Sequence, residues 1–421
     1  MKRLGQAFLV TVICLIVEVT SSAADRPGEE WPRWRGPRGD GTWLGPKLPE
    51  KWPDGGIKPK WKVTIGGGYS GVTVAERRVF VTDYQKSPEA ERVLCFDADS
   101  GRILWKHEYP VTYGKLDYGT GPRAAPTWHD GKVFTVGALG ELRCLDAKTG
   151  ERQWSTNYVI DLNGRLPTWG YAGSVFIDGD RLLVQPGGAE GKSIAALNRH
   201  NGQVVWQNLS DEAGYATPMI AEQNGHRHLI CWTPSHIRGV DPANGKPHWQ
   251  VPYPVTYGVS IAEPIFQEGL VVVCGYWDGS KAIRLGAQPQ QTELAWEENK
   301  FLRGLMSQPL YREGYVYLLD KQYGLTCFEL KTAKKRWDDD NSMTPRGRNP
   351  HASLVWLGDS DRTIILNSEG DLILARLNPS GYHEQSRTNI TGATWAHPAF
   401  GGSCVYARSD TELVCVPLLP E

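Results

Sequence analysis

Tryptophan returns along this chain at Trp61, Trp105, Trp154, Trp206, Trp249, Trp296 and Trp337, with gaps of 44, 49, 52, 43, 47 and 41 residues. Five of the seven close a similar phrase: FDADSGRILW, LDAKTGERQW, LNRHNGQVVW, VDPANGKPHW and FELKTAKKRW. A period of this length, filled with short strands and turns, predicts a repeat architecture whose units bury their faces only against their neighbours. It overrides the two or three domains that 421 residues would otherwise predict.

A second phrase recurs about one strand before each hairpin. It reads YSGV at 69–72, RAAP at 123–126, YAGS at 171–174, YATP at 215–218, IAEP at 261–264, MSQP at 306–309, PHAS at 350–353 and WAHP at 395–398. Between the two phrases lie two short β-branched runs around a glycine turn, as in GKVFTVGALGELRCLD, which reads as a hairpin. Each unit then has four strands. The small-residue phrase opens the first, the hairpin gives the second and third, and a D-x-x-[T/S]-G turn leads into a fourth that carries the tryptophan. Asp97, Asp146 and Asp241 can bond their own turn backbone. Gly101, Gly150, Gly202 and Gly245 supply a positive φ. The indole is expected to wedge between neighbouring units, its N–H on a backbone carbonyl.

Eight opening phrases need eight fourth strands. The chain stops at LVCVPLLPE, one strand short, and the unit near Ser386 has lost its tryptophan. The orphan run Ile57 to Thr64, with Trp61, supplies the missing strand. The expected fold is all-β: an eight-bladed propeller of four-stranded antiparallel blades, closed by an N-terminal strand in the last blade, which removes open sheet edges.

The ends are read separately. Met1-Lys2-Arg3, the short apolar run Ala7 to Val17 and the small residues Ser22-Ala23-Ala24 predict a secretory signal peptide over 1–24. The run falls short of the ~20 residues of a membrane span, and no other stretch reaches that length. The expected product is exported, periplasmic or secreted, and soluble. Residues 25–56, rich in Pro and Gly, read as an extended lead lying over the propeller of 57–421. A net charge of −1 argues against nucleic acid. Cys95, Cys144, Cys327 and Cys415 hold the same place in the repeat, a small buried slot filled elsewhere by Ala196 and Ala375, and read as buried thiols. Cys404 and Cys415 could instead pair across a hairpin turning at Arg408-Ser409-Asp410.

CLDAKTGERQW at 144–154, repeated in looser form over about residues 57–416, resembles the tryptophan-docking repeat of the pyrroloquinoline-quinone-type propellers. The lead WPRWRGPRGDG is similar to the start of many exported bacterial propellers of that type. The resemblance implies two kinds of function. One is quinoprotein alcohol or sugar dehydrogenation, with quinone and Ca²⁺. The other is non-enzymatic scaffolding, as in the propeller subunit of the outer-membrane assembly machinery. The dehydrogenases stack their cofactor between a Trp and, in many members, a vicinal disulfide, and hold Ca²⁺ on Glu, Asn and Asp oxygens. This chain has no Cys-Cys pair and no long insertion to roof a cofactor, and no Ca²⁺ ligand or base can be assigned by number.

The scaffold reading therefore leads, with a protein partner on one face or in the central funnel. No catalytic residue, metal ligand or cofactor is expected. First strands lie nearest a propeller axis. The candidate funnel residues are thus Tyr69, Arg123, Trp169, Tyr215, Glu263, Arg303, Gln308, His351, Trp395 and His397, although polar axial residues often only bind water. Trp, Tyr and Arg are common in binding hot spots. Trp169, Trp395 and Tyr215 would also suit a carbohydrate-binding propeller. Glu263 and His397 replace small residues before the Pro of their phrases, hinting at a ligand or ion, but two such groups fall short of a metal set. His226 and His228 in NGHRHLI read as a solvated turn.

Overall fold

The computed structural model describes residues 28–419; the segment assigned to the signal peptide lies outside them. Among the described residues the strands form eight sheets. Blades 1 to 7 occupy residues 73–110, 127–157, 176–208, 219–252, 265–298, 310–338 and 352–389, each pairing its four strands in chain order. Blade 8 takes three strands from residues 399–417 and its outermost strand from Trp61–Thr64, which runs antiparallel to Glu412–Pro417 with Trp61 opposite Cys415. Blade 7 gains a fifth, innermost strand, because Thr42–Trp43 pairs in parallel with Trp356 and Leu357.

The recurring tryptophan joins blade to blade. Trp61, Trp105, Trp154, Trp206, Trp296 and Trp337 donate their indole N–H to Ala98, Ala147, Arg199, Pro242, Leu330 and Asn378 carbonyls of the next blade, at 2.8–3.2 Å. The receiving turns are held as the sequence predicts. Asp146 Oδ1, for example, accepts the N–H groups of Lys148 and Thr149, both at 2.9 Å. The turn glycine is required twice over at Gly150: its φ is +74°, and a Cβ there would lie 2.5 Å from the Trp105 ring. Cys95, Cys144, Cys327 and Cys415 sit opposite Trp105, Trp154, Trp337 and Trp61, and all seven cysteines among the described residues are free thiols. Cys404 faces Pro417 and Cys415 faces Tyr406, so the two are diagonal neighbours rather than opposite partners.

Two blades depart from the rule. Trp249 stays on its own blade, with its N–H 3.3 Å from His228 Nδ1. Gly239 stands opposite it where the other tryptophan-bearing blades have Cys or Ala, and the missing Cβ lets the ring lie flat on the sheet. The next blade also lacks the aspartate–glycine turn that would receive an indole, having GAQPQQ. His228 is correspondingly buried and lies 3.1 Å from His248 Nδ1, not in a solvated turn; the turn falls at Asn224-Gly225, so the strand has begun by His226. In blade 7, Ser386 holds the tryptophan position opposite Leu374, not beside Ala375, and no small slot is needed there.

Candidate functional site

The opening phrases ring the axis and bond across blades. Tyr69 and Ser70 N–H share the Pro122 carbonyl, Val72 N–H meets His397 O, and Tyr215 and Ala216 N–H share Ser260 O. These bonds turn the side chains at the start of each first strand toward the axis on one face. A funnel of about 620 Å³ opens there. Its lining is mainly aromatic and aliphatic.

Seven of the ten expected residues line this funnel. Tyr69 stacks on Trp395 with ring centres 5.6 Å apart, and Trp169 packs on Tyr215 at 5.7 Å. Gln308 and His351 lie at its base. The Gln308 Oε1 accepts Glu263 N–H at 2.6 Å and its Nε2 donates to Met306 O, so the amide is occupied by the scaffold. His351 Nε2 lies 3.3 Å from Ser353 Oγ, and its buried Nδ1 has no partner. Burial pushes the imidazole pKa down to about 3, helped by His397, so the ring is neutral.

Arg123 completes the seven. Its guanidinium donates to the carbonyls of Trp169, Gly121, Asp117 and Tyr118 and sits over the Tyr69 ring at 5.5 Å. These bonds clasp the loop 111–126. That loop leans over the mouth, where the Tyr118 hydroxyl accepts from Asn349 Nδ2 at 3.3 Å, 231 residues away. A connection of ordinary length thus covers part of the opening without any long insertion, because it is tied down by one arginine.

Three expected residues lie elsewhere. Arg303 pairs with the buried Asp320 at 3.3 Å and stands outside the funnel lining. His397 is buried between Trp31 and Trp34, ring centres 6.3 and 5.2 Å away, and its Nδ1 contacts Pro398 O. Glu263 faces a separate polar cleft of about 480 Å³, beside Arg35 and Asp40. Its Oε2 is 3.6 Å from Arg35 Nη1, beyond hydrogen-bond reach, and has no other partner among the described residues. Burial pushes its pKa up to about 7; Arg35, Arg33 and Trp34 offset only part of that.

For His397 and Glu263 the reason is the lead. Residues 31–43 cross the end of the axis opposite the mouth. The Trp31 carbonyl accepts Val74 N–H in blade 1, and Pro32 O accepts Trp128 N–H in blade 2. Arg33 lies over Phe176 in blade 3 at 5.3 Å, and Arg35 Nη2 donates to Pro309 O beside blade 6. Trp43 stacks on Phe400 in blade 8 at 4.8 Å. Trp34 is thereby presented as part of the funnel lining, which closes the axis behind it. Reading the repeat alone misses Trp34. The available signal is the density of Trp and Arg in a segment without periodicity, since such side chains must pack against something else. The rim residues Tyr257, Trp277, Arg348 and Asn349 are likewise missed, because they sit in inter-blade loops and hairpin turns outside both repeat phrases.

Among the described residues no group of three or more His, Cys, Asp or Glu is arranged to hold a metal ion, and no helix is long and apolar enough to cross a membrane.

A family model described as outer membrane protein assembly factor BamB matches residues 54–219, 89–339 and 233–419. The assembly factor BamB of Yersinia pestis is 22% identical over 268 residues, 59% of this chain and 64% of that protein. A dehydrogenase subunit of the quinone alcohol dehydrogenase of Gluconobacter oxydans is 31% identical over 128 residues, 28% of this chain and 16% of that one. The chain thus spans less than two thirds of the length of these curated relatives. Among solved structures, BamB from Moraxella catarrhalis superposes with a TM-score of 0.57 at 16% identity, covering 85% of this chain and 98% of the other. That likeness speaks to the fold.

Proposed function

The chain belongs to the propeller family described as outer membrane protein assembly factor BamB, and from that membership we propose that it is an exported binding protein that docks a protein partner on the face where the funnel opens. The observation that carries this reading is the rim. Tyr118, Tyr257 and Trp277 are 44%, 73% and 47% exposed around an apolar opening. Large aromatic side chains left in water cost free energy that a partner would recover by covering them. Tyr257 even adopts a positive φ of 59°, a conformation unfavourable for an aromatic residue, and still projects to solvent.

The alternative of a quinone dehydrogenase fits the lining poorly. Among the described residues no Asp or Glu lines the funnel, and Gln308 and Asn349 are its amides. A Ca²⁺ ion takes ~6–8 oxygen ligands, usually including carboxylates. A glycosidase would need two carboxylates across the scissile bond, and the lining holds none. Sugar binding without cleavage keeps the aromatic walls in its favour but finds few free polar partners, since Gln308 and most of the Arg123 donors are already engaged.

A photo-reactive phenylalanine analogue at Tyr257 tests the proposal in the native host. It should crosslink to one discrete exported protein, whereas the same analogue at Val204, an exposed site on an outer strand, should not. Silence at Tyr257, or tight binding of pyrroloquinoline quinone and Ca²⁺ with dye-linked alcohol turnover, would overturn it.

A further inference from the structure

We infer that the funnel is a receptor for the free C-terminal end of a polypeptide, taking an apolar last side chain against its aromatic walls and the terminal carboxylate against its guanidinium groups. This rests on the partner-binding role and names the part of the partner that enters.

The first support is charge. Among the described residues the lining contains Arg123 and Arg348 and no carboxylate. Among the described residues Arg123 is held by main-chain carbonyls and forms no ion pair, so its hydrogen bonds are largely satisfied by neutral groups. Arg348 is exposed, with no hydrogen-bond or ion-pair partner for its side chain among the described residues. Lys321 stands over the Trp277 ring at 4.1 Å and adds a third positive group at the rim. The acids around it lie outside the lining and are engaged by the scaffold: Glu91 by Tyr109, Tyr113 and the Ala138 N–H, Asp278 by Thr256, and Asp320 by Arg303. A low-dielectric cleft with one sign of charge concentrates the opposite sign. An amino terminus or a basic segment would be repelled.

The second is shape. About 620 Å³ suits one or two large side chains. The funnel is blind, because Trp34 closes it behind, and its mouth is narrowed where Tyr118 meets Asn349. A chain that enters must stop there or double back, and an end enters more simply than a loop.

The third is the rim, which separates a chain end from a free small acid. A small molecule filling the funnel would touch only the sides of Tyr257 and Trp277 that line it and leave their outer surfaces, among the most exposed aromatic area at the rim, in water. A polypeptide leaving the funnel passes over them, and both are large rigid surfaces suited to such contact.

The test titrates the purified protein at low salt with three probes: an acetylated hexapeptide ending in phenylalanine as the free acid, the same peptide as its amide, and N-acetylphenylalanine. Tryptophan fluorescence and calorimetry report binding. The free acid should saturate, and the amide and N-acetylphenylalanine should each bind roughly tenfold or more weakly. Arg348→Gln, an exposed position that leaves the fold intact by circular dichroism, should weaken the acid by a similar factor and leave the amide unchanged. Equal affinity for acid and amide would overturn the inference. So would N-acetylphenylalanine binding as tightly as the peptide, which would make the funnel a small-acid site, or the absence of saturation by every probe. Crosslinking at Tyr257 reads partner docking independently. Its persistence when the peptides fail sinks this inference alone; its loss sinks the partner-binding role as well.

Discussion

The backbone N–H of Trp52 bonds the hydroxyl of Ser386 at 3.1 Å. Ser386 occupies the position where the other blades carry their repeat tryptophan or, in blade 8, receive Trp61. The Trp52 indole then donates to Leu372 O at 3.2 Å and is buried in the cluster that joins the first and last blades. A tryptophan absent from the repeat is thus supplied by the lead.

Trp52→Ala should therefore behave as a core mutation, although it changes a residue of a Pro/Gly-rich segment. Removing a buried tryptophan costs about 3–5 kcal/mol. The expected result is a lowered thermal midpoint and earlier unfolding in urea. A loss no greater than that of Leu44→Ala, an exposed site on the same lead, would contradict it.

Gly150 and Gly131 separate two costs within one blade. Both have positive φ, +74° and +71°, but Gly150 lies under the Trp105 ring while Gly131 has open space around it. Gly131→Ala should cost about 1 kcal/mol from backbone strain alone. Gly150→Ala should cost at least about twice that, because the ring must also move. Equal losses in denaturant titrations would show that the indole contact is slack.

Glu263 should make stability depend on pH. Its folded pKa, about 7, stands above the ordinary carboxylate value of 4.5 because of burial. A group raised in this way favours the folded state fully below the unfolded value, and that advantage is lost as pH rises through the folded value. The loss from pH 4.5 to 7 is on the order of 3 kcal/mol. His351 and His397 act oppositely: burial depresses them to about 3 and about 4, so their contribution is present above 6.5 and lost as pH falls. Comparing wild type with Glu263→Gln isolates the carboxyl. The wild type should lose midpoint temperature relative to the variant between pH 5 and 8; parallel curves would contradict this.

Cys404 should be the first thiol to react. It is half-exposed, and hydrogen bonding by Cys415 brings its pKa below the ordinary thiol value, whereas Cys95, Cys144 and Cys327 are buried and pushed up to about 12. Brief iodoacetamide treatment of the native protein at pH 7, read by peptide mass spectrometry, should label Cys404 alone. Simultaneous labelling of the repeat cysteines would point to loosened blades.

The sequence by itself determined the number of blades, the four-strand unit, the docking tryptophans with their glycine turns, and the membership of Tyr69, Trp169, Tyr215 and Trp395 in the axial ring. Each of these is written in residues that contact neighbours one strand or one blade away, so the spacing of residue types carries them. What only the tertiary structure decided is what the lead does: Trp34 closing the funnel, Trp52 filling the gap at Ser386, and Arg35 meeting Glu263 and Pro309. The Arg35 to Pro309 bond joins positions 274 residues apart. The lead has no period, and its partners are set by where a closed ring of eight sheets leaves unfilled space. That space exists only once the ring has formed.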